Sequence, residues 1–258
     1  LLQDPASAVW IDYLCVPKPL AQESEGESRA MIGLTHLCVK LLRETSTPPS
    51  LDVMRRVPNL IRMLKANAFN VLGSDLIPVA VGLYPAAAML NHQCAAPNAS
   101  VVFEGRRLYA RSLCAISAGS ELTTSYVELA ATAAERRREL RDAFAFECQC
   151  TACSDPAADR DAVLVQRHRT LDEGLQACLD VHRYDEALGY TEQLSRTAKQ
   201  LYPANWPILG ITLLKEGKLH RLIGQLREAG RCFEEALQVL GVALPSISSL
   251  LREVSQLY

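Results

Sequence analysis

The stretch Cys148-Gln-Cys150-Thr-Ala-Cys153 decides how this chain is interpreted, because it places three thiols close together in sequence. Thiolates are preferred zinc ligands, and a structural zinc ion takes four ligands in a tetrahedron. A fourth ligand must therefore come from elsewhere in the chain. The candidate is Cys94, which lies in Asn91-His92-Gln93-Cys94, a polar cluster inside an otherwise apolar stretch. The alternative is three ordinary thiols, buried or at the surface, that hold no metal.

The nine cysteines of the chain are an odd number, and no basic segment followed by an apolar signal core begins the sequence. Both features are typical of a reducing compartment, where thiols and metal ligands are more common than disulfides. The longest apolar run, Leu76–Leu90, contains the two prolines Pro78 and Pro85. It is too short and too interrupted to span a bilayer, so we expect no membrane partner.

Charge is balanced along the whole chain. The 258 residues include 29 acidic and 27 basic side chains, and 49% of the residues are apolar, as in folded globular proteins. Residues 1–155 carry 16 acidic and 15 basic side chains, and the remainder carries 13 and 12. Neither part has the excess of positive charge that attracts nucleic acid. We therefore expect no direct nucleic-acid binding.

Apolar periodicity predicts three helices before residue 146. They cover residues 30–44, residues 51–66 with an interruption at Pro58, and residues 132–145. The last of them begins at Thr132-Ala-Ala-Glu135, which has the form of a capping box. Its basic residues are interleaved with acidic ones, which indicates a solvated helix face rather than a basic patch. These basic residues are Arg136, Arg137, Arg138 and Arg141.

Short β-type runs occupy the middle of the chain. Ser100–Phe103 and Arg107–Ala110 predict two strands, and Glu104-Gly105 between them predicts a tight turn. A further strand is predicted over Glu121–Tyr126, after the turn signal Ser117-Ala-Gly119. Strands and helices are therefore both expected.

The part of the chain after residue 161 has an almost entirely helical pattern. Residues 154–161 are polar and predict a linker before it. Tyr184-Asp-Glu-Ala187-Leu resembles the later segment Leu226-Arg-Glu-Ala229-Gly, and this second copy continues to Phe233 and Ala236 with small-large spacing. Such spacing lets paired helices approach closely, as in tetratricopeptide repeats. An ordinary helical bundle is the alternative.

Three motifs in this order resemble those of SET-domain lysine methyltransferases, and of the SET-and-MYND (SMYD) family in particular. They are Asn91-His92-Gln-Cys94-x2-Pro97-Asn98, then Gly119-x-Glu121-Leu-Thr-x-Ser125-Tyr126, then Phe146-x-Cys148-x-Cys150-x2-Cys153. The segment Val81-Gly-Leu-Tyr84-Pro85, the segment Glu135-Arg-Arg-x2-Leu140 and the repeat-like helical end support the same resemblance.

The resemblance implies a set of site residues. Asn91, His92 and Phe146 would contact S-adenosylmethionine, with Phe146 stacked on the adenine, and Tyr126 would be the catalytic tyrosine beside the same cofactor. Asn67, Phe69 and Phe144 would line the channel for the substrate lysine. A zinc ion would be held by Cys94, Cys148, Cys150 and Cys153. The segments around Asn91 and Tyr126 would weave together around the site.

An α+β fold with four parts is implied in the same way. Residues 1–66 resemble the helical insertion of the SET domain, residues 67–130 the carboxy-terminal half of the SET core, and residues 131–155 the zinc-bound post-SET segment. Residues 156–258 resemble the helical end domain of tetratricopeptide-repeat type, whose concave face would cover the peptide-binding side.

The sequence departs from the family pattern in two ways. Gln93 stands where the family usually has serine, and Phe144 stands where it often has tyrosine, which removes a hydroxyl from the channel. In addition, residues 1–66 contain no glycine-rich cofactor loop and too few cysteines for a MYND finger. We therefore expect the chain to correspond to the carboxy-terminal two thirds of such an enzyme.

Two functional interpretations follow. The chain is expected to be part of a monomeric protein-lysine methyltransferase of the cytoplasm or nucleus, acting on a histone or other protein substrate and contacting partners through its helical end. Alternatively, it is a zinc-stabilised scaffold without catalytic activity, because half of a cofactor site leaves polar groups unpaired.

Overall fold

The computed structural model describes residue 14 and residues 25–44, 50–73, 77–154 and 161–258. Helices and short strands are mixed, which confirms the predicted α+β class. The helices are α1 (Glu25–Arg43), α2 (Leu51–Asn67), α3 (Ala133–Phe144), α4 (Thr151–Ser154), α5 (Asp161–Asp180), α6 (Tyr184–Leu201), α7 (Pro207–Leu222), α8 (Leu226–Ala243) and α9 (Ser249–Leu257). The strands are β1 (Ala68–Leu72), β2 (Pro78–Leu83), β3 (Asn91–His92), β4 (Ala99–Glu104), β5 (Arg107–Ser112) and β6 (Thr123–Thr124).

The chain divides into two compact units. The first unit comprises the described parts of Leu1–Asn70 with Val81–Met89 and Leu140–Glu147. The second comprises the described parts of Val71–Ala80, Leu90–Glu139 and Cys148–Tyr258. Each unit is described by itself below.

The two helices of the first unit are longer than the sequence predicts. Helix α1 begins at Glu25, before the predicted start at residue 30. The predicted start was too late because it relied on apolar periodicity, which begins only around Leu34. The predicted interruption of the second helix was wrong, since α2 continues through Pro58. A proline withdraws a single N–H donor, and the remaining residues of this long helix keep theirs.

Strands β4 and β5 form the predicted hairpin. They pair antiparallel from Ala99 opposite Ser112 to Glu104 opposite Arg107, so each strand extends slightly beyond its predicted bounds. Gly105 has a φ of +58° in the turn, a conformation that glycine adopts at little cost. The predicted turn is therefore confirmed.

The strand predicted over Glu121–Tyr126 was wrong in length. Only β6, Thr123–Thr124, is regular, and it pairs in parallel with β3. The side chain of Asn98 takes the place of a neighbouring strand here. Its Oδ1 accepts a hydrogen bond from the N–H of Thr123 at 2.9 Å, and its Nδ2 donates to the carbonyl of Glu121 at 2.8 Å. A side chain has one amide to offer, so the pairing does not continue along the segment.

The helical end of the second unit contains the predicted repeat as a repeated turn. The N–H of Arg183 donates to the carbonyl of Cys178 at 2.9 Å, and in the later copy the N–H of Gln225 donates to the carbonyl of His220 at 2.8 Å. Bonds of this kind close the end of a helix. The turn residues before these donors, His182 and Gly224, both have positive φ. The turn is therefore the same in the two helix pairs α5–α6 and α7–α8.

Small residues let the paired helices approach closely. A Cβ added at Gly174 would clash with the ring of Tyr190, and one added at Gly217 would lie 2.5 Å from the ring of Phe233. The glycine and the aromatic residue have the same separation in sequence in both pairs, so the close approach recurs with the turn. Among the described residues, no helix is both long enough and apolar enough to cross a membrane.

The β4–β5 hairpin packs against the helical end within the second unit. Val102 of β4 belongs to the apolar cluster centred on Phe233 and Leu240 of α8. Arg111 of β5 donates from Nε to the carbonyl of Val242 at 3.2 Å. The amide of Asn205 donates to the carbonyl of Leu113 at 2.9 Å. These contacts fix the hairpin against the helices.

The capping box at the start of α3 also connects to the helical end. Thr132 Oγ1 accepts from the N–H of Glu135 at 3.2 Å, and the carboxylate of Glu135 accepts from the N–H of Thr132 at 2.8 Å, which confirms the predicted motif. Arg169 of α5 donates two hydrogen bonds to the same carboxylate, at 2.9 and 2.8 Å. Hydrogen bonds from Arg169 and Thr132 lower the pKa of Glu135 to about 2, so this connection is ionic at neutral pH.

Candidate functional site

The four cysteines selected from the sequence come together in the second unit. Their sulfur atoms all lie within 4.8 Å of one another. The Sγ of Cys94 lies 3.9 Å from that of Cys148 and 3.6 Å from that of Cys153, although Cys94 is distant from both in sequence. Cys94 and Cys153 are buried, and Cys148 and Cys150 are half-buried. The four side chains therefore form one cluster.

The spacing of this cluster fits a tetrahedral zinc ion. With Zn–S bonds near 2.3 Å, the sulfur atoms of such a site lie about 3.8 Å apart. The two sulfur distances of 3.9 and 3.6 Å agree with that value and are far too long for a disulfide bond. Burial and the neighbouring thiols raise the pKa of Cys94 and raise that of Cys148 to about 11. A cation is needed to hold these groups together as thiolates.

Arg136 supports the backbone around the cluster. Its side chain is buried, with the residue only 6% exposed, and its guanidinium donates to the carbonyls of Leu129, Ala131 and Ala152. Arg137 donates from Nη1 to the carbonyl of Cys153 at 3.1 Å. Two consecutive arginines of α3 therefore hold two consecutive carbonyls of the cysteine segment.

The predicted solvated face of α3 was wrong for Arg136. Arg137, Arg138 and Arg141 are exposed, but Arg136 lies on the buried face with Ala133 and Leu140, which are 2% and 0% exposed. These positions are spaced i, i+3 and i+7, which places them on one side of a helix. That spacing could have identified Arg136 from the sequence, whereas the alternation of charges concealed it.

The segments around Asn91 and Tyr126 lie side by side. Strands β3 and β6 pair in parallel with Asn91 opposite Thr123 and His92 opposite Thr124, and the N–H of Gln93 donates to the carbonyl of Thr124 at 2.9 Å. The hydroxyl of Tyr126 donates to the carbonyl of Leu90. The resemblance implied that these two segments meet, and they do so here although they are distant in sequence.

His92 connects Tyr126 to the cysteine cluster. Its Nδ1 accepts the backbone N–H of Tyr126 at 3.0 Å, so the ring proton lies on Nε2. That Nε2 faces the Sγ of Cys94 at 2.8 Å. Burial, with the charge of Arg136 as a second cause, lowers the pKa of His92 to about 4. The ring is therefore neutral at pH 7 and donates a hydrogen bond to a cluster sulfur.

Asn91 is exposed on the same short strand. Its Nδ2 donates to Oε1 of Glu121 at 2.6 Å. Glu121 was quoted only as part of a motif, and its contact with Asn91 was not predicted from the sequence. The carboxylate fixes the orientation of the amide, because it can only accept a hydrogen bond.

The remaining predicted site residues belong to the first unit. Asn67, at the end of α2, is buried, and its Nδ2 donates to the carbonyl of Met63 at 2.7 Å. The ring of Phe69 meets that of Tyr84 edge to face, with centroids 6.1 Å apart. Phe144 and Phe146 are half-buried. The structure thus brings the cysteines, His92 and Tyr126 together, while these four residues form part of the other unit.

Comparison with known proteins shows which family the chain resembles. The SET domain family matches residues 18–127. Histone-lysine N-methyltransferase SMYD3 of Mus musculus is 25% identical over 93% of this chain and 66% of its own length. Histone-lysine N-methyltransferase ASHR1 of Arabidopsis thaliana is 24% identical over 80% of this chain and 61% of its own length. N-lysine methyltransferase SMYD2-B of Danio rerio is 33% identical over 48% of this chain and 28% of its own length.

The chain spans about two thirds, or less, of the length of these curated relatives. The similarity to the first two nevertheless extends from the SET region into the helical end. The matched family, the order of the three motifs and the α+β fold agree with one another. These findings support the assignment of the chain as similar to the SMYD proteins of the SET-domain family.

Proposed function

We propose that the protein to which this chain belongs is an S-adenosylmethionine-dependent protein-lysine N-methyltransferase. The observation that carries the proposal is the pairing of β3 with β6, which places Asn91, His92 and Tyr126 on adjacent segments. The relatives are lysine methyltransferases by name, and the motifs that match the family lie on these same segments. An acceptor of protein-lysine class follows from the same similarity.

In this proposal the four cysteines hold a structural zinc ion. Cys94, Cys148, Cys150 and Cys153 supply four thiolates, and a divalent cation balances half of their charge. The neutral ring of His92 donates to one of these sulfurs and accepts from Tyr126, so the metal centre and the tyrosine are held by one imidazole. Metal ligands are commonly oriented by such outer hydrogen bonds. The zinc is therefore assigned a positioning role.

The cofactor supplies an activated methyl group, and the chain supplies alignment and a dry channel for the lysine amine. Asn91, His92 and Phe146 are the residues proposed to hold the cofactor. Its sulfonium is cationic, which favours the neutral form of a nearby lysine amine and so exposes the lone pair that attacks.

Tyr126 is proposed to orient that amine. Its hydroxyl donates to the carbonyl of Leu90, and a phenolic oxygen is also an acceptor, the role proposed for it toward an N–H of the substrate amine. Asn67, Phe69 and Phe144 are proposed to line the lysine channel. Aromatic side chains suit that role because they exclude water and favour cations or amines at their faces. The cytoplasm or nucleus is the proposed location, with further protein contacts through the helical end.

The first test is calorimetric titration of S-adenosylmethionine into the zinc-loaded chain, followed by methyl transfer to histones and to lysine-containing peptides. We expect Tyr126→Phe to lower turnover by at least about 100-fold, because an oriented hydroxyl is lost at the reacting amine. Zinc content should be unchanged, since the bonds of His92 use only the backbone N–H of Tyr126.

Tyr109→Phe is the matched control. Tyr109 is also a half-buried tyrosine, but it packs against the helical core. Its removal should leave turnover within about twofold. Equal turnover of Tyr126→Phe and the unmodified chain would contradict the catalytic assignment. A folded, zinc-loaded chain that binds no cofactor would mean either that the cofactor site needs the glycine-rich strand that residues 1–66 lack, or that these residues form a scaffold.

A further inference from the structure

A second group of metal-ligand side chains lies between helices α7 and α8, apart from the cysteine cluster. Glu216 and His220 are one helical turn apart and therefore share one face of α7. Cys232 faces them from α8. One carboxylate oxygen, one ring nitrogen and the sulfur all lie within 4.8 Å of one another. No residue of this group takes part in the proposed methyl transfer.

The close approach of the two helices creates this group. Gly217, next to Glu216, lies so near to α8 that an added Cβ would be 3.1 Å from the Cβ of Cys232. His220 and Cys232 are only 4% and 7% exposed, and the side chain of Glu216 is 14% exposed. Three polar side chains of ligand type are thus withdrawn from water at the point where the helices touch. Buried groups of this kind need a partner.

His220 and Glu216 are each held by an outer hydrogen bond that leaves an inner atom facing the group. The Nδ1 of His220 donates to Oε1 of Gln225 at 2.7 Å, because the amide oxygen can only accept. In the neutral ring the lone pair then lies on Nε2, which faces Glu216 Oε1 at 3.9 Å. The other oxygen of Glu216, Oε2, accepts from the hydroxyl of Ser195. Outer bonds of this kind are typical of the ligands of metal centres.

A fourth donor stands at the open side of the group. The Oε1 of Glu192, on α6, lies 4.0 Å from Nε2 of His220, and its side chain is 39% exposed. Glu192 can therefore complete a four-ligand set or give way to a water molecule.

We propose that Glu216, His220 and Cys232 form a second binding site for a zinc-class divalent cation, with Glu192 or water as the fourth ligand. Ligand atoms of a tetrahedral zinc site lie about 3.3 to 3.8 Å apart. The ligand atoms here lie within 4.8 Å of one another, so each separation needs to shorten by between a few tenths of an ångström and about 1 Å. A mixed sulfur, nitrogen and oxygen set suits zinc or cobalt, whereas magnesium and calcium require oxygen ligands.

The proton balance of this binding is simple. The thiol of Cys232 hydrogen-bonds to Glu216 in the metal-free protein. Binding replaces the S–H bond with a metal–sulfur bond, and the proton passes to solvent with the waters that leave the ion. No oxidation or reduction is involved. The bound ion would connect α7 to α8 and, through Glu192 and Ser195, to α6.

The test counts metal ions in the intact chain. After saturation with zinc and dialysis against metal-free buffer, plasma mass spectrometry should find two zinc ions per chain. We expect Cys232→Ala and Glu216→Gln each to reduce the count to one, or to weaken the second ion by at least 10-fold. Cys178→Ala is the matched control, because Cys178 is an equally buried cysteine of α5 outside the group, and it should keep two.

Cobalt(II) distinguishes the two sites. The absorption lost on Cys232→Ala should correspond to one thiolate per cobalt ion, in contrast to the four-thiolate signal of the cysteine cluster. If Cys232→Ala fails to fold by circular dichroism, Glu216→Gln decides alone, since glutamine has the same shape and can still accept from Ser195. Both variants binding as much zinc as the unmodified chain, with the same affinity, would overturn the proposal.

Discussion

The cysteine cluster and the α7–α8 hairpin lie in one compact unit, but they are stabilised by different kinds of contact. Near the cysteines, β3 and β6 are very short, and the backbone is held by side chains such as Asn98 and Arg136. In the hairpin, apolar residues are almost fully buried, with Phe233 and Leu240 at 1% and 0% exposure. The region near the cysteines has buried apolar residues such as Leu129 and Ala133, but its backbone also depends on a few specific polar groups.

The largest expected effect comes from removing a cluster ligand. Cys153→Ser leaves three thiolates that cannot complete a tetrahedron, so the chain should lose the zinc ion of this cluster. Structural zinc contributes about 10 kcal/mol or more to the folding of small zinc-finger peptides, and we expect a loss of at least about 3 kcal/mol here. Thermal unfolding with and without a chelator measures it.

Cys114→Ser is the control for that experiment. Cys114 is exposed and lies outside the cluster, so its substitution should change the unfolding free energy by less than about 0.5 kcal/mol. If Cys153→Ser were as stable as Cys114→Ser and insensitive to chelator, the cluster would be a set of buried thiols that hold no metal.

Arg136→Met should have the next largest effect. Methionine fills a similar volume but leaves the carbonyls of Leu129, Ala131 and Ala152 without their donor. Unsatisfied buried acceptors and a lost buried cation cost about 2 to 4 kcal/mol. The zinc dissociation rate should also rise, because Ala152 lies within the cysteine segment. Chelator-competition kinetics and denaturant unfolding measure the two effects.

Arg138→Met provides the comparison, since Arg138 is an exposed arginine of the same helix. It should leave both quantities nearly unchanged. Similar behaviour of the two variants would mean that Arg136 contributes no more than a surface residue, and the region would then not depend on specific polar groups as argued above.

Arg136 also shows where sequence analysis succeeds and where it fails. The capping box and the cysteine cluster were predicted because their chemistry resides in residue types at fixed spacing. The burial of Arg136 was missed because charge was weighed above helical position. The short length of β6 could not be predicted, since it depends on where the side chain of Asn98 points in the folded chain.

The helical end was easier to predict than the β-strands. Its repeat is carried by local features, and the turn at His182 and the turn at Gly224 are closed by neighbouring residues. The group formed by Glu216, His220 and Cys232 escaped notice because its members come from two helices, and only the packing at Gly217 brings them together. Contacts between residues that are distant in sequence, unlike composition, could not be predicted from the sequence.

In the hairpin, Gly217→Ala tests the apolar packing. An alanine in a helix normally stabilises by about 1 kcal/mol over glycine, but here the new Cβ would lie 2.5 Å from the buried ring of Phe233. Because the new methyl group would be overpacked, Gly217→Ala should instead lower the unfolding free energy, by about 1 to 3 kcal/mol. Denaturant unfolding measures the change in unfolding free energy.

Gly230→Ala is the matched control, because Gly230 lies in α8 and a Cβ there meets no atom within 4 Å. It should stabilise by about 0.5 to 1 kcal/mol. Stabilisation by both substitutions would show that the hairpin tolerates added volume, and the contrast with the cysteine region would weaken.

The smallest expected effect lies in the two equivalent turns of the repeat. His182 and Gly224 have φ values of +58° and +84°, a conformation that costs about 1 kcal/mol for most residues other than glycine. His182→Gly should therefore stabilise by about 0.5 to 1 kcal/mol. The hydrogen bond between His182 and Tyr184 that it removes is exposed and offsets little of this gain. Gly224→Ala should destabilise by a similar amount. Denaturant unfolding should show that the two substitutions change the unfolding free energy in opposite directions. Changes in the same direction would mean that the turns are alike in hydrogen bonding but not in backbone strain.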